Sequence, residues 1–483
     1  MKVAGLALGV ALFATPRVPL AQTTEAHQHH QHHGATHETP SPRDTTATPS
    51  RAPHHGVAEP GAPHAAPGHR HEPGAAGSPH AMTMLGVGGG WQLMGMAQAF
   101  PIGTGGRPNG AAPLDERGAY LTQPAVMANL AGPGGRFVLR TTLNFEAWTQ
   151  RDGEITYGGW GEGFIDKRHP HTLVHEAMLS WNWWDAPGGA FSLSAGKGFA
   201  PYGSDDPMSR PVVKYPTNHH LSQVLERFTV NAVYLHRSGF GVEAGLFGGG
   251  EPTGPYDFSN IESFGNSYSV RLSQRLGDGF GPFAPWELSA SYARVKESHH
   301  GTATVTHLVN ATVRHQQRHA FGDLYAMAEA SRSEIAGPAE GYYALLGEAR
   351  LGLGGERRRH QPYYRVEFAT RPEYLRDGVP GSDGFWTYDH DHAELAGATR
   401  WLINTVGYQM ALGTPQLAML PFVEVAHHRI SSERGAVDPA ALFGRDAFWS
   451  VTTGFKLYLG GGQMRMGSYG VLDPMSAAMR PAP

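Results

Sequence analysis

The sequence predicts an all-β protein: a transmembrane antiparallel β-barrel of about sixteen strands, bounded at about fourteen and eighteen, behind a disordered His-rich N-terminal region. Three observations predict it. From about residue 90 onward, apolar and polar residues alternate with period two. The alternating runs are nine to fourteen residues long. That is the length of a tilted membrane-crossing strand, whereas soluble strands average about five or six residues. Finally, short turns and long loops follow one another along the chain, as they do in barrels seated in an outer membrane.

In chain order, residues 1–21 read as a signal peptide. Lys2 precedes VAGLALGVALFA, an apolar run of export-signal length, and VPLAQ offers small residues for cleavage after Ala21. Residues 22–88 are Pro, Ala, Gly, Thr and His with almost no large apolar groups, too little to offset the entropy of ordering. The stretch HQHHQHH supplies His27, His29, His30, His32 and His33. Neutral imidazoles suit zinc and copper, so Cu or Zn binding is expected of this tract, while no cofactor is required. With no Cys in the chain, thiolate metal sites and disulfides are excluded. A net charge of −4 gives no electrostatic case for nucleic acid.

The barrel is expected over residues 89–460. In RFVLRTTLNFEAWT (136–149), Phe137, Leu139, Leu143 and Phe145 fall on one face, and Arg136, Arg140, Asn144, Glu146 and Trp148 on the other. TLVHEAMLSWNWW (172–184) sets Leu173, Ala177, Leu179, Trp181 and Trp183 against Glu176, Ser180 and Asn182. The division recurs in RFTVNAVYL, TATVTHLVNATVR, PYYRVEFATR and AFWSVTTGFKLYL. Counting from WQLMGMAQAF (91–100) to AFWSVTTGFKLYLG (447–460) gives sixteen strands. An even count places both termini in the periplasm of a Gram-negative cell. Residues 461–483 are expected to form a periplasmic tail, with Met464, Met466 and Met475 beside the histidine tract or plugging the mouth.

Charged residues at the inward parity define the expected lumen: Arg140, Glu146, Arg227, Glu243, Arg271, Glu287, Arg314, Glu348, Arg350, Arg365, Glu367, Arg400 and Glu424. Both signs are represented, which predicts a wet bore. The long loop PYGSDDPMSRPVVKYPTNHHLSQVL (200–224) carries Asp205, Asp206 and Lys214 and runs toward Glu226. Its Pro and Asp residues suit fixed turns, and its length permits folding into the bore as a constriction.

Histidines crowd the long-loop end: His169 with His171, His219 with His220, and His390 with His392. Loops rising from strands two apart, roughly 10 Å from each other, would let four imidazoles meet Glu226 or Asp205 and Asp206 at a metal. Capping of the loops themselves is the plainer expectation. His236, His315, His319 and His360 fall at the short-turn end. Ser222 near His219 and His220 is the one set resembling a hydrolase nucleophile and base, and no nucleophile motif frames it.

The chain resembles a poorly characterised group of porin-like Gram-negative outer-membrane barrels found in heavy-metal and copper resistance settings. HPH at 169–171, DDPMSRP with NHHLSQVLER between 205 and 227, and MRMGSYGVLDPM at 464–475 carry the likeness. More loosely it is similar to copper-resistance outer-membrane protein B, whose polar N-terminal region is Met-rich where this one is His-rich. The resemblance implies a non-enzymatic channel for small polar solutes or ions, linked to copper or zinc handling. Expected partners are outer-membrane lipid, the solutes or metal ions, periplasmic metal-efflux components and further copies of the chain in a homo-oligomer. The alternatives are a non-conducting metal-binding resistance protein and, remotely, an outer-membrane lipid hydrolase.

Overall fold

A computed structural model describes residues 85–106, 117–149, 172–224, 226–252, 255–277, 281–299, 302–335, 341–355, 358–374, 395–414, 416–435, 438–440, 445–460 and 465–480. The strands are β1 (Leu85–Gly88), β2 (Trp91–Gly106), β3 (Arg117–Ala131), β4 (Phe137–Asn144), β5 (Val174–Ala186) and β6 (Gly189–Gly198). There follow β7 (Arg227–His236), β8 (Phe240–Phe247), β9 (Ser267–Leu276), β10 (Trp286–His299), β11 (Thr302–His319) and β12 (Gly322–Ile335). The last five are β13 (Tyr342–Gly354), β14 (Arg358–Tyr374), β15 (Leu395–Thr414), β16 (Leu417–Gly435) and β17 (Ala447–Leu459). A short helix α1 (Pro474–Ala478) lies near the C-terminus. Among the described residues no helix is long and apolar enough to cross a membrane.

Each strand from β2 to β17 pairs antiparallel with the next, and β17 returns to β2 through Leu457↔Ala99 and Thr452↔Thr104. The result is a closed sixteen-strand barrel, as the alternation predicts. Closure leaves no sheet edge. The four-residue β1 forms a hairpin on β2 through Gly89 and Gly90, both at positive φ. Leu85–Gly88 is therefore strand, where the sequence reading extends the disordered region to residue 88. Only four residues long and half glycine, LGVG carries no periodicity to read.

Period two holds around the wall. Leu139, Leu179, Trp181, Val230, Val309, Val406, Trp449 and Val451 are exposed on the outer face. Their inward neighbours Arg140, Ser180, Asn231, Asn310, Thr405 and Ser450 are buried. Two details differ from the sequence reading. Strand β4 ends at Asn144, and Glu146–Trp148 is a 3-10 turn that leaves Trp148 exposed. Arg400 takes the outward parity in β15, because Trp401, Ile403 and Thr405 are the buried set. A bulge between Ala398 and Thr399 lies beside it, and its guanidinium pairs with Glu433 on the neighbouring strand.

An outward face of this kind makes a direct prediction. Leu179 is 54% exposed in the middle of β5, so Leu179→Arg sets a cation against hydrocarbon. The expected loss is about 2–4 kcal/mol near the bilayer midplane, measured by urea unfolding from lipid vesicles. Leu179→Phe should leave the midpoint almost unmoved.

Candidate functional site in the barrel interior

Two segments fill the bore. The first is the connection 199–226 between β6 and β7, whose described residues are nearly all buried. Local chemistry sets its path. The Asp206 carboxylate accepts from Met208 N at 2.7 Å and caps the 3-10 turn Pro207–Ser209. Gly203 sits at φ +71°, where a Cβ would fall 1.8 Å from the Ser222 carbonyl oxygen, so only glycine fits the crossing. Glu226 anchors the return at positive φ, accepting from Thr172 N at 3.1 Å and lying 2.7 Å from His175 Nδ1.

From there the loop reaches across to the far wall. Arg210 donates to Glu329 on β12 at 3.0 Å, and Lys214 to Glu424 on β16 at 2.6 Å. Arg365 on β14 donates to the Lys214 carbonyl at 2.7 Å, and Arg350 on β13 to the Pro211 carbonyl at 3.2 Å. Thr217 N donates to Glu367, and Tyr215 Oη accepts from Gln123 on β3 at 3.2 Å. Apolar contacts seal the gaps: Met208, Val213 and Tyr215 pack with Phe100, Ile102, Phe422 and Tyr458.

The second segment is 465–480, which doubles back into the barrel. Arg465 bridges Asp205 at 2.8 Å and Glu287 on β10 at 3.1 Å. Asp206 N donates to the Met466 carbonyl, and Met466 N to Ser209 Oγ, each at 3.1 Å, tying the tail to the loop. Arg271 donates to the Gly467 carbonyl at 2.9 Å while holding Glu243 at 2.7 Å. Tyr469 donates to Glu176 at 2.8 Å, and Asp473 pairs with Arg140 at 3.4 Å. Met466 and Met475 are buried against Met94, Met96, Met127 and Met178. The described part of the expected periplasmic tail is thus interior, and its methionines pack as core.

The expected lumen residues other than Arg400 do face inward, but in the middle of the bore they meet protein. Arg365 is 1% exposed, Glu424 2% and Glu243 2%. The expectation of a wet bore is corrected there: loop and tail neutralise both signs by direct pairing. Several of their partners carry no local sequence signal. Glu329, Arg210, Arg465 and Tyr469 lie on segments far apart in the chain, and only the fold joins them.

The structure brings His219 and His220 together, stacked at 4.5 Å between ring centroids, with His219 against Tyr215 and His220 3.7 Å from Glu251. Asp205, Asp206 and Glu226 are engaged elsewhere, as described. His27, His29, His30, His32, His33, His169, His171, His390 and His392 lie outside the described residues, as does Met464. Among the described residues no group of three or more His, Asp and Glu side chains is arranged to hold a metal ion. Ser222 is buried within the bore, away from the lipid-facing rim a lipid hydrolase would need.

Burial acts on one acid outside the strands with a measurable consequence. Glu146 is desolvated, which pushes its carboxyl up to about 7 against hydrogen bonds from Thr122 and Gln123 that favour the charged form. Its folded value exceeds the ordinary 4.5, so between those limits the folded state holds a proton the unfolded chain has released. Stability therefore falls as pH rises through that window. Glu146→Gln should flatten this stretch of the profile when apparent melting is followed by heat-modified gel mobility.

Several solved structures are similar to this chain over most of their length. The anion-selective porin of Comamonas acidovorans is 10% identical, with 76% of this chain and 99% of that one covered and a TM-score of 0.42. For the outer-membrane protein OmpT of Vibrio cholerae the figures are 9%, 78%, 100% and 0.44. For OprB of Pseudomonas putida they are 13%, 77%, 94% and 0.43. No family model and no curated protein matches the chain.

Proposed function

We propose that the chain is an outer-membrane channel for small polar solutes or ions, in which the loop 199–226 and the segment 465–480 form a closed gate. The apolar belt faces lipid, and the inward positions serve the path. The observation that carries this reading is the charge stored inside the barrel. Arg140, Arg210, Arg271, Arg365, Glu243, Glu329, Glu348 and Glu424 are all buried. Apolar residues of similar volume would stabilise a permanently filled core as well or better. A bore that water and ions enter in another state has a use for them.

A second reading, a non-conducting metal-binding barrel, is favoured by the same close packing of the interior. In it the His-rich segment would hold copper or zinc at the membrane and pass it to periplasmic efflux components. Planar-bilayer recording of the purified full-length chain separates the two. Discrete, voltage-dependent steps are expected of the channel. A silent bilayer with inserted protein, at every voltage and after removal of residues 465–483, would leave only the second reading.

A further inference from the structure

We propose that His315 and His319 form a binding site for a divalent first-row transition metal on the outer wall of the barrel, independent of the bore. Both residues belong to β11 and share its outward face, four positions apart. On that face Val309 is 50% exposed and Val313 37%, whereas His315 is only 6% exposed. What shields it is specific. Its ring packs on Trp286, the residue paired with it across β10, at 4.2 Å between centroids. The His319 ring stacks on Phe321 at 5.1 Å and 5° between planes. Phe321 lies in the two-residue turn that joins β11 to β12.

Held from both sides, the imidazoles lean toward each other until their Nε2 atoms are 3.2 Å apart. Two zinc–nitrogen bonds of about 2.0–2.1 Å at a near-tetrahedral angle put their nitrogens about 3.3 Å apart. The observed spacing is thus already that of two ligands sharing one ion. The Cys-free chain and the neutral imidazole donor set favour Zn2+, Cu2+ or Ni2+ over hard cations. A groove of about 550 Å3 opens beside the pair, lined by Trp286, Val313, Gln317, Phe321 and Leu324. Gln317, on the same face between the histidines and lining that groove, offers an amide oxygen as a third donor.

The alternative at this distance is a neutral pair sharing one N–H···N hydrogen bond, and the experiment separates the two. Full-length protein in detergent is freed of metal with EDTA and its unfolding followed with and without Zn2+. His315→Ala and His319→Ala are compared with the unmutated chain, so binding by the other histidines, present in all three, cancels. A site that binds only the folded barrel lowers the unfolding equilibrium constant about a hundredfold at a zinc concentration a hundred times Kd. Each variant should lose that shift. If one variant fails to fold, the other carries the test. A second measurement needs no variant: Zn2+ should protect His315 and His319 from diethylpyrocarbonate, read by mass spectrometry. Equal zinc stabilisation in all three chains, or zinc-independent modification of both rings, would overturn the proposal.

Discussion

Replacing Arg365 by Met is expected to destabilise the barrel by about 3–5 kcal/mol, because it strands buried carboxylates without their cation. Arg365 is 1% exposed and donates to Glu367 at 2.9 Å and to the Lys214 carbonyl at 2.7 Å, with Glu348 3.6 Å away. It therefore holds two wall acids and the loop at one point. Denaturant midpoints of the folded protein in detergent give the cost. Arg318→Met is the control, since Arg318 is 46% exposed and pairs with Asp323 at 3.7 Å, and a surface pair of that kind contributes only about 0–1 kcal/mol. Replacing Glu348 and Glu367 by Gln in the Arg365→Met background should recover part of the loss.

The second large effect concerns the proposed gate. Arg465 joins the tail to both the loop and the wall through Asp205 and Glu287. In the loop, burial would raise the Asp205 carboxyl, but the Arg465 and Arg314 guanidiniums outweigh it and hold Asp205 below the usual range. Arg465→Ala removes the tie and leaves Asp205 to Arg314 and Glu287 to Arg275, so the tail should detach more often. Single-channel recordings should show a higher open probability, and removal of residues 465–483 a larger unitary conductance as well. Unchanged traces from both variants would mean that the tail does not obstruct the path.

Much of the fold is legible in the sequence for one physical reason. Lipid favours apolar residues at outward positions, and Leu139, Leu179, Val230, Val309 and Val451 follow that rule, from which Arg400 and the β11 residues His315, Gln317 and His319 depart. The inner face is under no such demand once loop and tail fill it, and there the reading weakens. In β15 the inward side carries Trp401 and Ile403 as well as Thr405, so both faces look apolar and Arg400 was assignable to either. The loop 199–226 announces itself through length and its Pro and Asp content, and Asp205, Asp206, Lys214 and Glu226 all take part in its packing. The tail is different. GSYGVLDPM has no strand period, and its partners Glu176, Ser192 and Arg140 lie hundreds of positions earlier. Only the closed barrel brings them within reach.

The central claim is that loop and tail meet inside a lipid-embedded barrel. A chain without cysteine makes the direct test clean. Ser209→Cys with Met466→Cys places two thiols where Met466 N lies 3.1 Å from Ser209 Oγ. Oxidation of intact outer membranes should close a cross-link between them, seen as faster gel migration that reductant reverses, and it should lock the channel shut. Two free thiols that both react with a water-soluble maleimide, and refuse to couple, would contradict the account.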